Sequence, residues 1–194
     1  NGIVKKTGKI KQIYKGNKSY FIEILSDVKF SKNEIGTSVS CSGACLTLEK
    51  VSGNLSRFFL SYETINKTNF KTAKKDDVIN IEKSLKVGDE ISGHFVYGHV
   101  DCVTQISKIN KLNSSWNFEF KKDQNNKNME KFIVEKGSIT INGISLTVAN
   151  VSSENFSISI VPHTYENTNL NSVKENDLVN IEFDALARYV LKNE

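Results

Sequence analysis

The chain contains itself twice, in register and 100 residues apart. Ser38 to Glu82 lies over Ser138 to Glu182 without a gap, and 14 of the 45 paired positions are identical. Chance alone gives roughly three, so the match records a duplication. The identities run from Ser38/Ser138 through Gly43/Gly143 and Thr47/Thr147 to Asn80/Asn180 and Glu82/Glu182. Two copies are too few for a solenoid, in which each unit leans on its neighbours, so each copy must close a core of its own. Two similar units can hold two similar ligands, which a reaction between two like molecules requires.

At 194 residues the chain divides into units of about 95 each. The spacing places the first at 1–95, the second at 96–183 and a tail at 184–194, with the boundary near Ser92-Gly93-His94-Phe95-Val96. The second unit opens with Gly98-His99-Val100 against Gly2-Ile3-Val4, an offset of 96, so it carries four extra residues before Ser138. The polar run Lys121 to Asn128 takes them as a surface loop. Short alternating runs dominate: Tyr20–Leu25, Leu46–Val51, Phe132–Glu135 and Phe156–Val161 read as strands, with glycines as punctuation. Strands at this spacing predict an all-β chain of antiparallel barrels or sandwiches. One short helix per repeat is expected after Thr64 and Thr164, with the threonine as N-cap. The tail is the one good helix pattern, capped by Asp184, with Leu186, Tyr189 and Val190 on one face. An apolar helix that short needs a partner, and oligomerisation is the expected use.

Charge excludes little by itself. Charged residues make up 25% and the net charge is +4, an excess carried by scattered lysines, since Arg57 and Arg188 are the only arginines. A solvated face is expected, not a nucleic-acid surface. No run reaches the length of a membrane span, and no secretory signal precedes the first strand pattern, although the sequence starts at Asn1 without an initiator. Three cysteines, Cys41, Cys45 and Cys102, cannot pair evenly, which fits free thiols and a cytoplasmic location. Without a Cys-x-x-Cys, and with His94, His99 and His163 outside any zinc spacing, no metal is expected.

Matched positions that differ carry the chemistry. Cys45 faces Ser145, Glu63 faces His163, and Ile3 faces His99. Each swap puts a different nucleophile, acid or base at the same place in the two copies. Each also has a plain reading: Cys45 as a small buried residue, Ser145 as filler between Ile144 and Leu146, His99 as a satisfied histidine. Spacing alone does not identify a reaction.

Gly43-Ala44-Cys45-Leu46-Thr47, Gly93-His94-Phe95-Val96-Tyr97-Gly98-His99-Val100-Asp101, Lys136-Gly137-Ser138-Ile139, Asn142-Gly143-Ile144-Ser145-Leu146-Thr147 and Pro162-His163-Thr164 are specific motifs. Together with the duplication, they make essentially the whole chain resemble riboflavin synthase of the α-chain type. The resemblance implies two homologous six-stranded antiparallel Greek-key barrels, a C-terminal α-helix and a homotrimer, with active sites between the N-terminal barrel of one subunit and the C-terminal barrel of its neighbour. It implies that two molecules of 6,7-dimethyl-8-ribityllumazine react without metal or organic cofactor. A four-carbon unit passes between them, giving riboflavin and 5-amino-6-ribitylamino-2,4(1H,3H)-pyrimidinedione. An association with lumazine synthase is also implied.

Carried over residue by residue, the resemblance gives the N-terminal barrel Gly2, Ile3, Val4, Cys45, Leu46, Thr47, Ser61 and Thr64 as substrate ligands. It gives the C-terminal barrel Gly98, His99, Val100, Lys136, Ser145, Leu146, Thr147, Pro162, His163 and Thr164. Ser38, Cys45, His99, Ser145 and Asp184 are the residues it connects with catalysis. Three positions depart from the pattern. Asn1 stands where Thr is usual, without the Met-Phe that ordinarily opens the family's chains, Ser42 replaces Asn before Gly43, and Cys102 stands where Gly is common. The competing reading is a lumazine- or flavin-binding antenna protein of the same design, which need not keep reactive residues in both halves.

Overall fold

A computed structural model describes residues 1–16 and 19–191. The first six strands are β1 (Lys6–Lys15), β2 (Ser19–Ser26), β3 (Ser38–Cys41), β4 (Ala44–Ser52), β5 (Leu55–Ser61) and β6 (Val78–Lys83). They close an antiparallel barrel in the order β1-β2-β5-β4-β3-β6. β7 (Cys102–Lys111), β8 (Trp116–Lys121), β9 (Ser138–Ile141), β10 (Ile144–Val151), β11 (Asn155–Ile160) and β12 (Leu178–Phe183) close a second barrel with the same neighbour relations. Closure leaves no sheet edge, which is how an all-β chain of this size avoids edge-to-edge aggregation. The register slips at Ile10/Gln12 and Leu48/Lys50 in one barrel and at Ile106/Lys108 and Val148/Asn150 in the other. These matched bulges supply the bends that closure needs.

Alternation along each strand fills two separate cores. Ile10, Ile22, Ile24, Leu48 and Phe58 anchor the first, and Phe118, Phe120, Phe156, Ile158 and Ile181 the second. Among the described residues four short α-helices accompany the strands: α1 (Tyr62–Lys67), α2 (Lys127–Phe132), α3 (Pro162–Asn167) and α4 (Ala185–Leu191). The expected strand at Phe132–Glu135 does not form. Phe132 ends α2, and Met129 and Ile133 are the buried residues there, at helical spacing, so the local apolar run answers a period of about four. The repeat helices also begin earlier than Thr64 and Thr164. Ser61 caps α1 by accepting from Thr64 N at 3.0 Å, and α3 starts with Pro162 at its first position. Asp184 does cap the tail helix, its Oδ1 accepting from Leu186 N at 3.0 Å. Lys192, Asn193 and Glu194, the end of the expected tail segment, lie outside the described residues. No helix among the described residues is long and apolar enough to cross a membrane.

The barrels meet about a pseudo-twofold axis, and Gly43/Gly143, Asn69/Asn169 and Asn80/Asn180 on it are residues the copies share. Ser42-Gly43 and Asn142-Gly143 are two-residue hairpin turns with positive φ throughout, 44° and 82° in one and 47° and 80° in the other. They abut so closely that a Cβ on Gly43 would lie 2.7 Å from Gly143 N. Around them Asn80 Nδ2 donates to Asn142 O and to Asn169 Oδ1, both at 2.9 Å, and Asn169 N donates to Asn80 Oδ1 at 2.7 Å. The mirror set runs from Asn180 Nδ2 to Ser42 O at 2.8 Å and from Asn69 N to Asn180 Oδ1 at 2.7 Å. Gly43 meets its own counterpart there, and Asn80 and Asn180 each bond the other copy's turn, so these positions carry the same residue in both copies, while Ser42 and Asn142 differ.

Candidate functional site

The chain crosses between barrels twice. Gly2 accepts from Ser145 N through its carbonyl at 2.8 Å, and Val4 is buried in the core of the second barrel. Reciprocally, Gly98 accepts from Cys45 N at 2.8 Å, and Val100 packs against the core of the first. Both glycines sit in the left-handed region, at φ 76° and 77°, against the strand they cross to. A Cβ on Gly2 would fall 2.5 Å from Ser145 N, and one on Gly98 2.9 Å from Cys45 Cβ. The expected grouping of pocket residues is therefore corrected: 2–4 belong with the second barrel's pocket and 98–100 with the first's. Sequence order assigned each segment to the strand that follows it, and nothing in the pattern signals a crossing.

The first pocket gathers Cys45, Thr47, Ser61 and Thr64 with Gly98, His99 and Val100. Cys45, Thr47 and His99 are exposed, and Ser61 and Thr64 are half-buried. Ser61 Oγ and Thr64 Oγ1 lie 2.9 Å apart at the start of α1. The Leu46 side chain is spent on the core, leaving only its backbone to face a ligand. The thiols are not alike: burial pushes Cys41 up strongly and takes Cys102 to about 12, so neither supplies thiolate near neutral pH. Cys45 is the exposed one. Ser38, also exposed, pairs with Thr47 across β3 and β4.

The second pocket gathers Ser145, Leu146 and Thr147 with Gly2, Ile3 and α3, which carries Pro162, His163 and Thr164. Tyr165 fixes that helix by stacking on Trp116, ring centroids 3.9 Å apart and nearly coplanar at 6°. At the matched place in α1 stands the buried Ile65. Lys136 is exposed in a left-handed conformation at φ 64°, where the matched residue is Gly36 at φ 94°. A lysine kept where glycine is the relaxed choice costs about 1 kcal/mol, which points to a use for its side chain.

His94, to which the sequence motifs assign no role, belongs to this pocket. Its Nδ1 lies 2.7 Å from Ser145 Oγ and its Nε2 2.9 Å from Thr140 Oγ1. Burial lowers its pKa, against the opposing pull of the Asp184 carboxylate, so the ring is neutral and bridges the two hydroxyls with one donor and one acceptor nitrogen. The signal available was the doubled Gly-His of Gly93-His94 and Gly98-His99. Asp184 is half-buried at the α4 N-terminus beside this group.

Two carboxylates hold the crossing segments. Glu82 accepts from Asn1 N at 3.1 Å and Gly2 N at 3.0 Å. Glu182 accepts from Tyr97 N at 2.7 Å, Gly98 N at 2.9 Å and His99 N at 3.0 Å. Burial raises the pKa of Glu182 while those three N–H groups pull it down. One cleft, of about 510 Å³, runs from Asn1, Ile3 and Glu82 to Lys83 and Lys86, and another, of about 590 Å³, lies at the inter-barrel turns.

Fold and site together define a double-barrel protein that presents two related, chemically different pockets. Lumazine binding domains match residues 1–84 and 97–184. Riboflavin synthase from Escherichia coli strain K12 is 36% identical over 191 residues, covering 98% of this chain and 89% of that one. The enzyme from Actinobacillus pleuropneumoniae is 33% identical over 189 residues, covering 97% and 86%. The chain belongs to the riboflavin synthase family. Its fold is also that of LumP in complex with riboflavin, at TM-score 0.82 and 24% identity, covering 94% of this chain and 98% of that one.

Proposed function

We propose that the chain makes riboflavin by moving a four-carbon unit between two molecules of 6,7-dimethyl-8-ribityllumazine, one donor and one acceptor. The observation that carries this reading is the dissymmetry of two pockets related by one pseudo-twofold axis. Cys45 and His99 stand at one, and Ser145 and His94 at the other. Identical pockets would treat both molecules alike; this pair gives them different jobs.

The lumazine 7-methyl group is acidic because its carbanion delocalises into the ring. Its proton leaves to a base, and the exposed His99 imidazole is the group in the first pocket placed to take it. The other lumazine becomes electrophilic when a nucleophile adds to it. Water, a ribityl hydroxyl, Cys45 or Ser145 can serve. Stacking the two rings in opposite sense, as a pseudo-twofold arrangement does, removes up to about 7–11 kcal/mol of the cost of bringing them together.

The proposal includes a homotrimer whose sites lie between subunits. Two observations support it. Cys45, Thr47 and His99 are exposed on the single chain, so the first pocket stands open to solvent. On α4, Leu186, Tyr189 and Val190 are 63%, 73% and 65% exposed, an apolar face without a partner in the described chain. The second reading, a binding protein of the LumP kind, rests on the likeness of fold; the higher identity to riboflavin synthases favours the enzyme.

The deciding experiment mixes the purified chain with 6,7-dimethyl-8-ribityllumazine and follows riboflavin by absorbance and fluorescence. Riboflavin appearing at half the rate of lumazine loss is the expected result. Tight binding with an unchanged spectrum would sink the enzyme reading in favour of the binding protein.

A further inference from the structure

We infer that Glu182 and Glu82 are positioning residues, each for the pocket of the barrel to which it does not belong. The inference deepens the reading above and rests on it for the role of His99 and for its turnover arm, but not for its exchange arm.

Glu182 sits near the end of β12 in the second barrel and is 4% exposed. No lysine or arginine forms an ion pair with it among the described residues. A buried carboxylate without a cation is costly unless donors surround it, and three backbone N–H groups do so here. Those donors are consecutive, Tyr97 to His99, and the segment they fix runs on to the first barrel, where Gly98 takes the Cys45 N–H. A carboxylate of the second barrel therefore sets where the first pocket's histidine stands. Glu82, at the matched position of β6, does the same in reverse by holding Asn1 and Gly2 over Ser145.

The clamps are identical in residue but not in reach. Glu82 bonds two matched positions, Asn1 and Gly2, and the counterparts of both, Tyr97 and Gly98, are bonded by Glu182. The additional bond of Glu182 goes to His99 N, whose counterpart is Ile3. The extra constraint thus falls on the residue whose side chain carries chemistry. A carboxylate serving only to satisfy backbone would have no reason to extend to that position alone. Misplacement of a catalytic group by about 1 Å is enough to lose much of its effect.

The test uses the full chain with E182Q, E182A and E82Q. Amide hydrogen exchange read by NMR needs no ligand and stands whether or not the chain makes riboflavin. The expected result is at least about tenfold faster exchange of the Cys45 amide in E182Q with the Ser145 amide unchanged, and the reverse in E82Q. Gln keeps the size of Glu and one oxygen that accepts, so E182Q tests the clamp if E182A fails to fold. In turnover, E182A is expected to lower kcat about tenfold, E182Q less, and the double variant E182A/H99A to be no slower than H99A within about twofold, because both act through one group. Exchange that rises equally at Cys45 and Ser145, or kcat losses that multiply in the double variant, would overturn the assignment.

Discussion

Asn80→Ala is expected to cost about 3 kcal/mol of stability. The side chain is 1% exposed and makes three bonds, to Asn142 O, to Asn169 Oδ1 and from Asn169 N. Alanine removes all of them. Asn169 Oδ1 keeps a long contact from Asn142 Nδ2 at 3.4 Å, so two groups are left orphaned, Asn169 N and Asn142 O. Each buried orphan costs about 1–3 kcal/mol, which puts the sum at about 2–6 before relaxation. Asn142 and Asn169 also line the polar cleft of about 590 Å³ at the axis, so water can reach them and the lower half of that range applies. The assay is urea unfolding, read as a drop in midpoint with unchanged slope. Asn180→Ala orphans a matched pair, Asn69 N and Ser42 O, and is expected to cost a similar amount. A loss below about 1 kcal/mol in both variants would refute the view that this network holds the barrels together.

Cys45→Ala and His99→Ala are each expected to lower turnover at least about tenfold with the melting temperature little changed, and a folded variant with near-normal turnover removes the role of the residue tested. Truncation before Leu186 is expected to reduce the solution mass measured by light scattering; an unchanged mass would refute the oligomerisation role of α4. Lys136→Gly is expected to leave stability unchanged or raise it by up to about 1 kcal/mol while weakening lumazine binding, since glycine relaxes the left-handed position at some entropic cost. His94 is held neutral, its folded pKa below the ordinary 6.5. Its contribution is therefore complete above pH 6.5 and is lost as pH falls from there through the lowered value. His94→Gln should flatten that part of the stability profile, and an unaltered acid limb would refute the burial argument.

The duplication made the fold legible. A repeat that must close its own core, written in short alternating strands, leaves barrels or sandwiches as the solutions, and Gly43 and Gly143 marked the turns. Two things were illegible for physical reasons. Phe132–Glu135 is too short for its period to be read, and burial of Met129 on the same turn of chain decided for helix. The crossing of 1–4 and 97–100 is a tertiary exchange between equivalent partners. Either barrel offers the same strand to either segment, so local pattern carries no preference. His94 went unassigned for the same reason: its partners, Ser145 and Thr140, lie 51 and 46 residues away in a barrel it only touches.

The crossing explains how a duplicated gene can run an unsymmetrical reaction. Residues on the axis are locked together, because Asn80 and Asn180, or Gly43 and Gly143, each face the other copy's turn, and a change in one half breaks a contact in both. Residues in the pockets are free of that lock. Cys45 can diverge from Ser145, and His99 from Ile3, without disturbing the shared frame. The exchange adds a second freedom: each pocket combines a strand from one copy with a segment from the other. Cys45 of the first copy bonds Gly98, next to His99, of the second, and Ser145 of the second bonds Gly2, next to Ile3, of the first. One substitution at either contributor changes one pocket only. Divergence is therefore cheap where the chemistry is and expensive where the barrels join, the distribution of identities and differences that the aligned copies display.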